Sequence, residues 1–122
     1  MAISEAEAHV MQVLWQHSPR DADEVFTALP DCVDWQVATV KTLLNRLLKK
    51  GAVRAQKVGR RYFYAPVLKR DQWLLQESTT LLRRLFGGRV APLVAHLNQQ
   101  RRLSSGDLRD LRKLLGVGTQ VP

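Results

Sequence analysis

Residues 37–51 read Val37-Ala38-Thr39-Val40-Lys41-Thr42-Leu43-Leu44-Asn45-Arg46-Leu47-Leu48-Lys49-Lys50-Gly51, and residues 52–66 continue Ala52-Val53-Arg54-Ala55-Gln56-Lys57-Val58-Gly59-Arg60-Arg61-Tyr62-Phe63-Tyr64-Ala65-Pro66. At 100° per residue, Val37, Val40, Leu43, Leu44, Leu47 and Leu48 cover one arc of a helix. Ala38, Lys41, Thr42, Asn45 and Lys49 occupy the opposite arc, flanked by Thr39 and Arg46. A basic last turn and a glycine close the helix. The period then changes: Val53, Ala55 and Lys57-Val58 are extended in character, Gly59-Arg60 supplies a turn, and Arg61-Tyr62-Phe63-Tyr64 is aromatic and β-prone. This is an amphipathic helix followed by a β-hairpin.

Upstream, two shorter helices precede it. Ser4 and Glu7 have capping-box spacing, and Val10, Met11, Val13, Leu14 and Trp15 follow on a buried face, which predicts a helix over residues 5–16. Ser18-Pro19 interrupts it. Asp21 and Glu24 repeat the cap, and Val25, Phe26 and Leu29 mark a second helix over about residues 22–29, stopped by Pro30. Asp34 or Trp35 is expected to open the third. Helix, helix, helix, hairpin is the order of a winged helix-turn-helix, in which the last helix enters the major groove and the hairpin grips the backbone.

Downstream the chain is leucine-rich. Leu74, Leu75, Leu81, Leu82, Leu85 and Phe86 share one helical face with Ser78 on the seam, and Gly87-Gly88 ends it. Val90, Leu93, Val94 and Leu97 mark a fifth helix. Ser104 and Asp107 cap a sixth, with Leu103 and Leu108 as a hydrophobic staple, continuing through Leu111, Leu114 and Leu115. About 50 residues are too few to bury so much apolar face within one copy, so association is the expected outlet, with an intramolecular three-helix cap as the alternative. The expected organisation is a winged-helix DNA-binding domain over 1–70, a helical dimerisation domain over 71–116 and a flexible tail over 117–122. The fold class is mainly α with a small β-hairpin.

Composition bounds the function. The chain has 122 residues, 45% apolar and 25% charged, room for at most about one and a half domains. It has no apolar run of membrane-span length and no secretory signal pattern, so a soluble, cytoplasmic protein without stable membrane association is expected. Cys32 is the one cysteine, which excludes an intrachain disulfide framework and thiolate metal clusters. In a short loop before the third helix it reads as a plain small residue rather than a redox centre. His9, His17 and His96 lack ligand or triad spacing, and there is no phosphate loop, nucleophile elbow or HExxH run. No enzyme, metal or cofactor is expected.

Charge points to an anionic partner. The formal net charge is +8, and its distribution is uneven. After Asp34 no acid appears until Asp71, while Lys41, Arg46, Lys49, Lys50, Arg54, Lys57, Arg60, Arg61, Lys69 and Arg70 lie between. On the third helix Lys41 can donate to guanine, Asn45 can pair bidentately with adenine, and Ala38 or the methyls of Thr39 and Thr42 can pack on thymine, with Arg46 and Lys49 suited to phosphates. In the wing Lys57, Arg60, Arg61 and Tyr62, with Tyr64 nearby, suit phosphates or a minor groove. Phe63, Trp15 and Trp35 read as core.

These segments resemble the penicillinase-repressor (BlaI/MecI/CopY) family. The resemblance rests on Ile3 to Glu7 with Val10-Met11 and Val13-Leu14-Trp15, on Thr39 to Leu47 with Lys49-Lys50-Gly51, and on Gly59 to Tyr64. It extends to Leu85-Phe86-Gly87-Gly88 and to Leu103-Ser104 through Leu115. It implies a homodimeric repressor on a palindromic double-stranded DNA operator, dimerising through C-terminal helices. Leu74, Leu81, Leu82, Leu85, Leu93, Leu97, Leu111 and Leu115 are the expected dimer residues. Repression as the sign of regulation is implied by the resemblance alone. Copper-responsive members carry a C-terminal cysteine cluster that Cys32 cannot replace, so copper sensing is not expected. Antibiotic-responsive members imply a membrane sensor protease as partner, acting at an Asn-Phe bond soon after the Gly-Gly turn. The corresponding place here reads His96-Leu97, so that site is not carried over. The competing reading is a basic winged-helix module for protein or RNA assembly that does not read duplex sequence.

Overall fold

The computed structural model describes residues 1–31 and 33–116. The Cys32 reading and the tail 117–122 lie outside the described residues. Six helices and one hairpin follow in the order α1 (Glu5–Gln16), α2 (Ala22–Ala28), α3 (Val37–Lys50), β1 (Val53–Val58), β2 (Arg61–Pro66), α4 (Arg70–Phe86), α5 (Val90–Gln99) and α6 (Ser105–Leu114). The fold is mainly helical, with a winged helix-turn-helix at its start. The chain divides into two compact units, with the division inside α4 after Leu74.

Local chemistry sets the helix starts. Ser4 with Glu7, Asp21 with Glu24 and Ser104 with Asp107 each form a reciprocal capping box, at donor–acceptor distances of 2.7 to 3.1 Å. α3 differs from expectation. It begins at Val37 with Gln36 as N-cap and no side-chain cap bond, so neither Asp34 nor Trp35 opens it. Trp35 instead lies in the extended segment before the helix, half-buried against the core and edge-on to His9 at 5.9 Å. α2 ends at Ala28, with Leu29 already extended.

α3 ends at Gly51, whose φ of +79° is the left-handed conformation glycine adopts without a Cβ penalty. The Gly51 N–H donates to the Leu48 carbonyl at 3.1 Å and the Ala52 N–H to that of Leu47 at 2.9 Å, so orphan carbonyls are satisfied while the chain reverses into β1. The strands pair antiparallel, with Val58 opposite Arg61 across a two-residue Gly59-Arg60 turn. Only Gly59 of that pair has positive φ, +65°, the pattern of a II′ hairpin.

The first unit holds the core. Val10, Met11, Val13 and Leu14 of α1, Val25 of α2, and Val40, Leu43, Leu44 and Leu47 of α3 are buried together with Ala52, Val53, Tyr64 and Leu68. Leu48, on the apolar arc by periodicity, is 40% exposed. Trp15 packs against this core and its indole N–H donates to the Leu68 carbonyl at 2.8 Å, with Trp73 tilted on it at 5.3 Å. The hairpin corrects one expectation. Register places Ala55 opposite Tyr64 and Val53 opposite Pro66, so Tyr64 turns inward and Phe63, on the other face, is only half-buried. Arg20 also bridges to Tyr64 through two backbone hydrogen bonds of 3.1 and 2.8 Å.

In the second unit no residue of α5 or α6 is fully buried, nor is any residue of α4. Leu81 and Leu85 on α4 and Leu114 and Leu115 near the end of α6 are exposed. Between α5 and α6 runs an apolar groove of about 370 Å³, walled by Leu93, Val94, Leu97, Leu103, Leu111 and Leu114, with Asp107 and Asp110 at its rim.

Candidate nucleic-acid interface

α3 turns Ala38, Thr39, Lys41, Thr42, Asn45, Arg46 and Lys49 to the outside, opposite the buried Val40, Leu43, Leu44 and Leu47. Amphipathic spacing alone produces this separation, and the burial of the leucine arc fixes which face is left for a partner. α3 has no acid in its first turn and two lysines in its last. Of those, Lys50 is engaged elsewhere: its ammonium lies 2.6 Å from the Glu7 carboxylate and also donates to the Ala2 carbonyl at 3.1 Å. Thr42 donates its hydroxyl to the Ala38 carbonyl at 3.1 Å, which leaves its methyl as the outward group.

The wing joins this face at a groove of about 310 Å³. Its wall comprises Lys41 and Asn45 from α3, Arg60, Arg61, Tyr62 and Tyr64 from the hairpin, and Asp21, Ala22 and Asp23 from the start of α2. Five of the expected contact residues therefore converge. Ala38, Thr39, Thr42, Arg46 and Lys49 are exposed on α3 outside that groove, and Lys57 crosses from β1 to lie 5.7 Å over the ring of its strand partner Tyr62. Burial, with Tyr62 beside it, raises the Tyr64 hydroxyl above its ordinary range, so it remains a protonated donor at the groove wall.

Asp21 and Asp23 had no place among the expected site residues. Asp21 is recognisable from sequence as a cap, but its ion pair with Arg61 at 2.6 Å joins residues 40 apart, and no local spacing announces it. Arg60 has no ion pair among the described residues. Of the leucines expected at a dimer contact, Leu93, Leu97 and Leu111 line the α5–α6 groove, Leu81 and Leu85 are exposed on α4, Leu82 is half-buried there, and Leu115 is exposed after α6. Leu74 is half-buried and groups with the first unit. No described helix is long and apolar enough to cross a membrane.

The profile of the penicillinase repressor family matches residues 3–116. The chain belongs to the penicillinase repressor family. Over 113 residues it is 33% identical to the penicillinase repressor of Bacillus licheniformis, covering 93% of this chain and 88% of that protein. It is 26% identical over the same length to the methicillin resistance regulatory protein MecI of Staphylococcus aureus (strain N315), covering 93% and 92%. The solution structure of the DNA-binding domain of the repressor BlaI superposes with a TM-score of 0.52 at 40% identity, over 57% of this chain and 85% of that one. The monomeric form of Bacillus licheniformis BlaI in complex with the blaP half-operator superposes with a TM-score of 0.51 at 39% identity, over 59% and 88%. Membership makes this chain a penicillinase-repressor-type transcriptional regulator rather than an enzyme.

Proposed function

We propose that this chain is a homodimeric repressor that reads a palindromic DNA operator with α3 and the wing of each protomer. The observation that carries it is the convergence of Lys41 and Asn45 with Arg60, Arg61 and Tyr62 around one groove, on a surface whose opposite side is core. Lys41 and Asn45 face base edges in the major groove, with the Thr42 methyl beside them and Ala38 and Thr39 completing the face. Arg46, Lys49, Lys57, Arg60 and Tyr62 reach phosphates. BlaI in its half-operator complex supports this reading, because the matched region is the winged-helix half.

Residues 1–70 are then the DNA-binding domain and 71–116 the dimerisation domain, a cytoplasmic arrangement with the operator as ligand. The unburied leucines of α4 to α6 support dimerisation, because two copies can remove from water what one leaves exposed. Relief through a membrane sensor protease follows from the family resemblance, although His96-Leu97 stands where the cleaved bond would be.

Selection of bound sequences from a pool of random duplexes tests the reading. A short consensus made of two inverted half-sites is expected. A flat profile would show that the surface attracts nucleic acid without reading it, as an assembly module would.

A further inference from the structure

The Asp21 side chain is almost wholly buried and serves two partners at once. Oδ1 accepts the Glu24 N–H at 2.8 Å, closing the cap of α2, and Oδ2 lies 2.6 Å from a terminal nitrogen of the Arg61 guanidinium. The Arg61 side chain is otherwise 60% exposed and lines the same groove as Lys41 and Asn45. One residue earlier, Arg20 is bridged to Tyr64 by two backbone hydrogen bonds. The start of α2 therefore grips β2 by a backbone bridge and an ion pair.

An acid beside a DNA-facing groove opposes a polyanion, and its removal ordinarily strengthens DNA binding. What Asp21 supplies here is a fixed place for the Arg61 guanidinium. The contact is a charge pair without an aligned N–H···O hydrogen bond, so it confines the guanidinium beside the carboxylate and leaves its N–H groups to other acceptors. An arginine held in this way loses less freedom when it meets an acceptor.

We propose that Asp21 is a positioning residue for operator binding: by pairing with Arg61 it holds that guanidinium at the seam between α3 and the wing, beside Lys41 and Asn45. Arg61 is then a pre-placed contact, in distinction from Arg60, which is free to follow the backbone. The inference rests on the operator-binding reading above.

The test uses the full chain and the duplex that wild type selects from a random pool. Asp21→Asn keeps a good helix cap, verified by circular dichroism, and removes the charge that holds Arg61. It is expected to weaken binding about three- to ten-fold although it deletes an acid. Arg61→Ala should weaken binding at least as much, and adding Asp21→Asn to it should cost nothing further, because Asp21 acts only through Arg61. Arg61→Lys keeps the charge and removes the fork, so a weakening comparable to that of Asp21→Asn is expected; it also stands alone should Asp21→Asn disturb folding. Wild-type or tighter affinity in Asp21→Asn, equal weakening by Asp21→Asn with and without Arg61, or wild-type affinity in Arg61→Lys would each overturn the positioning role while leaving operator binding intact. A wild-type chain that selects no duplex overturns both.

Discussion

The Lys50 ammonium lies 2.6 Å from the Glu7 carboxylate and ties the last turn of α3 to the first turn of α1. Glu7 is 1% exposed, and the same oxygen accepts the Ser4 N–H at 2.7 Å, so a helix cap and an interhelix link share one acceptor. α3 is thereby anchored at its C-terminal end, away from the residues proposed to read bases. One of the basic residues in the acid-free span is consumed in that anchor.

Burial alone would raise the Glu7 carboxyl, but the Lys50 hydrogen bond, helped by Ser4 and by the charge of Lys50, holds it below the ordinary glutamate value. A lowered folded-state value means that ionised Glu7 contributes stability fully above the ordinary range, and that this contribution is lost as pH falls through the lowered value. Glu7→Gln keeps a capping partner and removes the charge. It is expected to destabilise the chain by about 1–2 kcal/mol at neutral pH. Urea unfolding of both proteins should show the difference shrinking as the pH is brought down into the acid range; a pH-independent difference would place the effect in packing.

The outward face of α3 makes residue-specific expectations. Asn45→Ala or Lys41→Ala should cost about 1–3 kcal/mol at one cognate base pair and little on random duplex. Thr42 divides more finely, because its hydroxyl is occupied by the Ala38 carbonyl. Thr42→Val keeps the methyl and should bind nearly as wild type, whereas Thr42→Ser removes it and should relax selection at one position. Titrations on cognate and scrambled duplexes decide, and equal weakening on both would remove α3 from base reading.

Arg60 stands at the tip of the wing without an ion pair among the described residues. Arg60→Ala should weaken binding to all duplexes alike and lower the slope of log affinity against log salt by about one unit for each phosphate per protomer that the arginine no longer neutralises. An unchanged slope would take the wing tip off the backbone.

Much of the fold was legible in the sequence because it is local. Ser4 with Glu7, Asp21 with Glu24 and Ser104 with Asp107 lie three residues apart, and each capping box is present. The two faces of α3 and the Gly59-Arg60 turn likewise depend on spacing within one element. What escaped depends on distant partners. The uncapped start of α3 follows an extended segment in which Trp35 meets His9, the choice of Tyr64 over Phe63 follows from strand register, and the Asp21–Arg61 pair joins two elements that only the fold brings together.

Leu81 and Leu85, one turn apart on α4 and both exposed, are the expected weak point of the proposed dimer. Paired substitution to Glu would bury two unpaired charges at a cost of several kcal/mol and should split it. Circular dichroism should report a folded monomer whose operator affinity collapses while its winged helix is intact. A double variant that remains dimeric would move the interface elsewhere.

Two protomers on one palindrome is the proposed arrangement, since a single winged helix offers only a handful of charges and reaches one half-site. Sedimentation velocity at micromolar concentration, with and without the selected duplex, measures it. Wild type is expected to sediment as a dimer alone and as two protomers per duplex when bound. A monomer that binds the palindrome tightly at one protomer per duplex would contradict it.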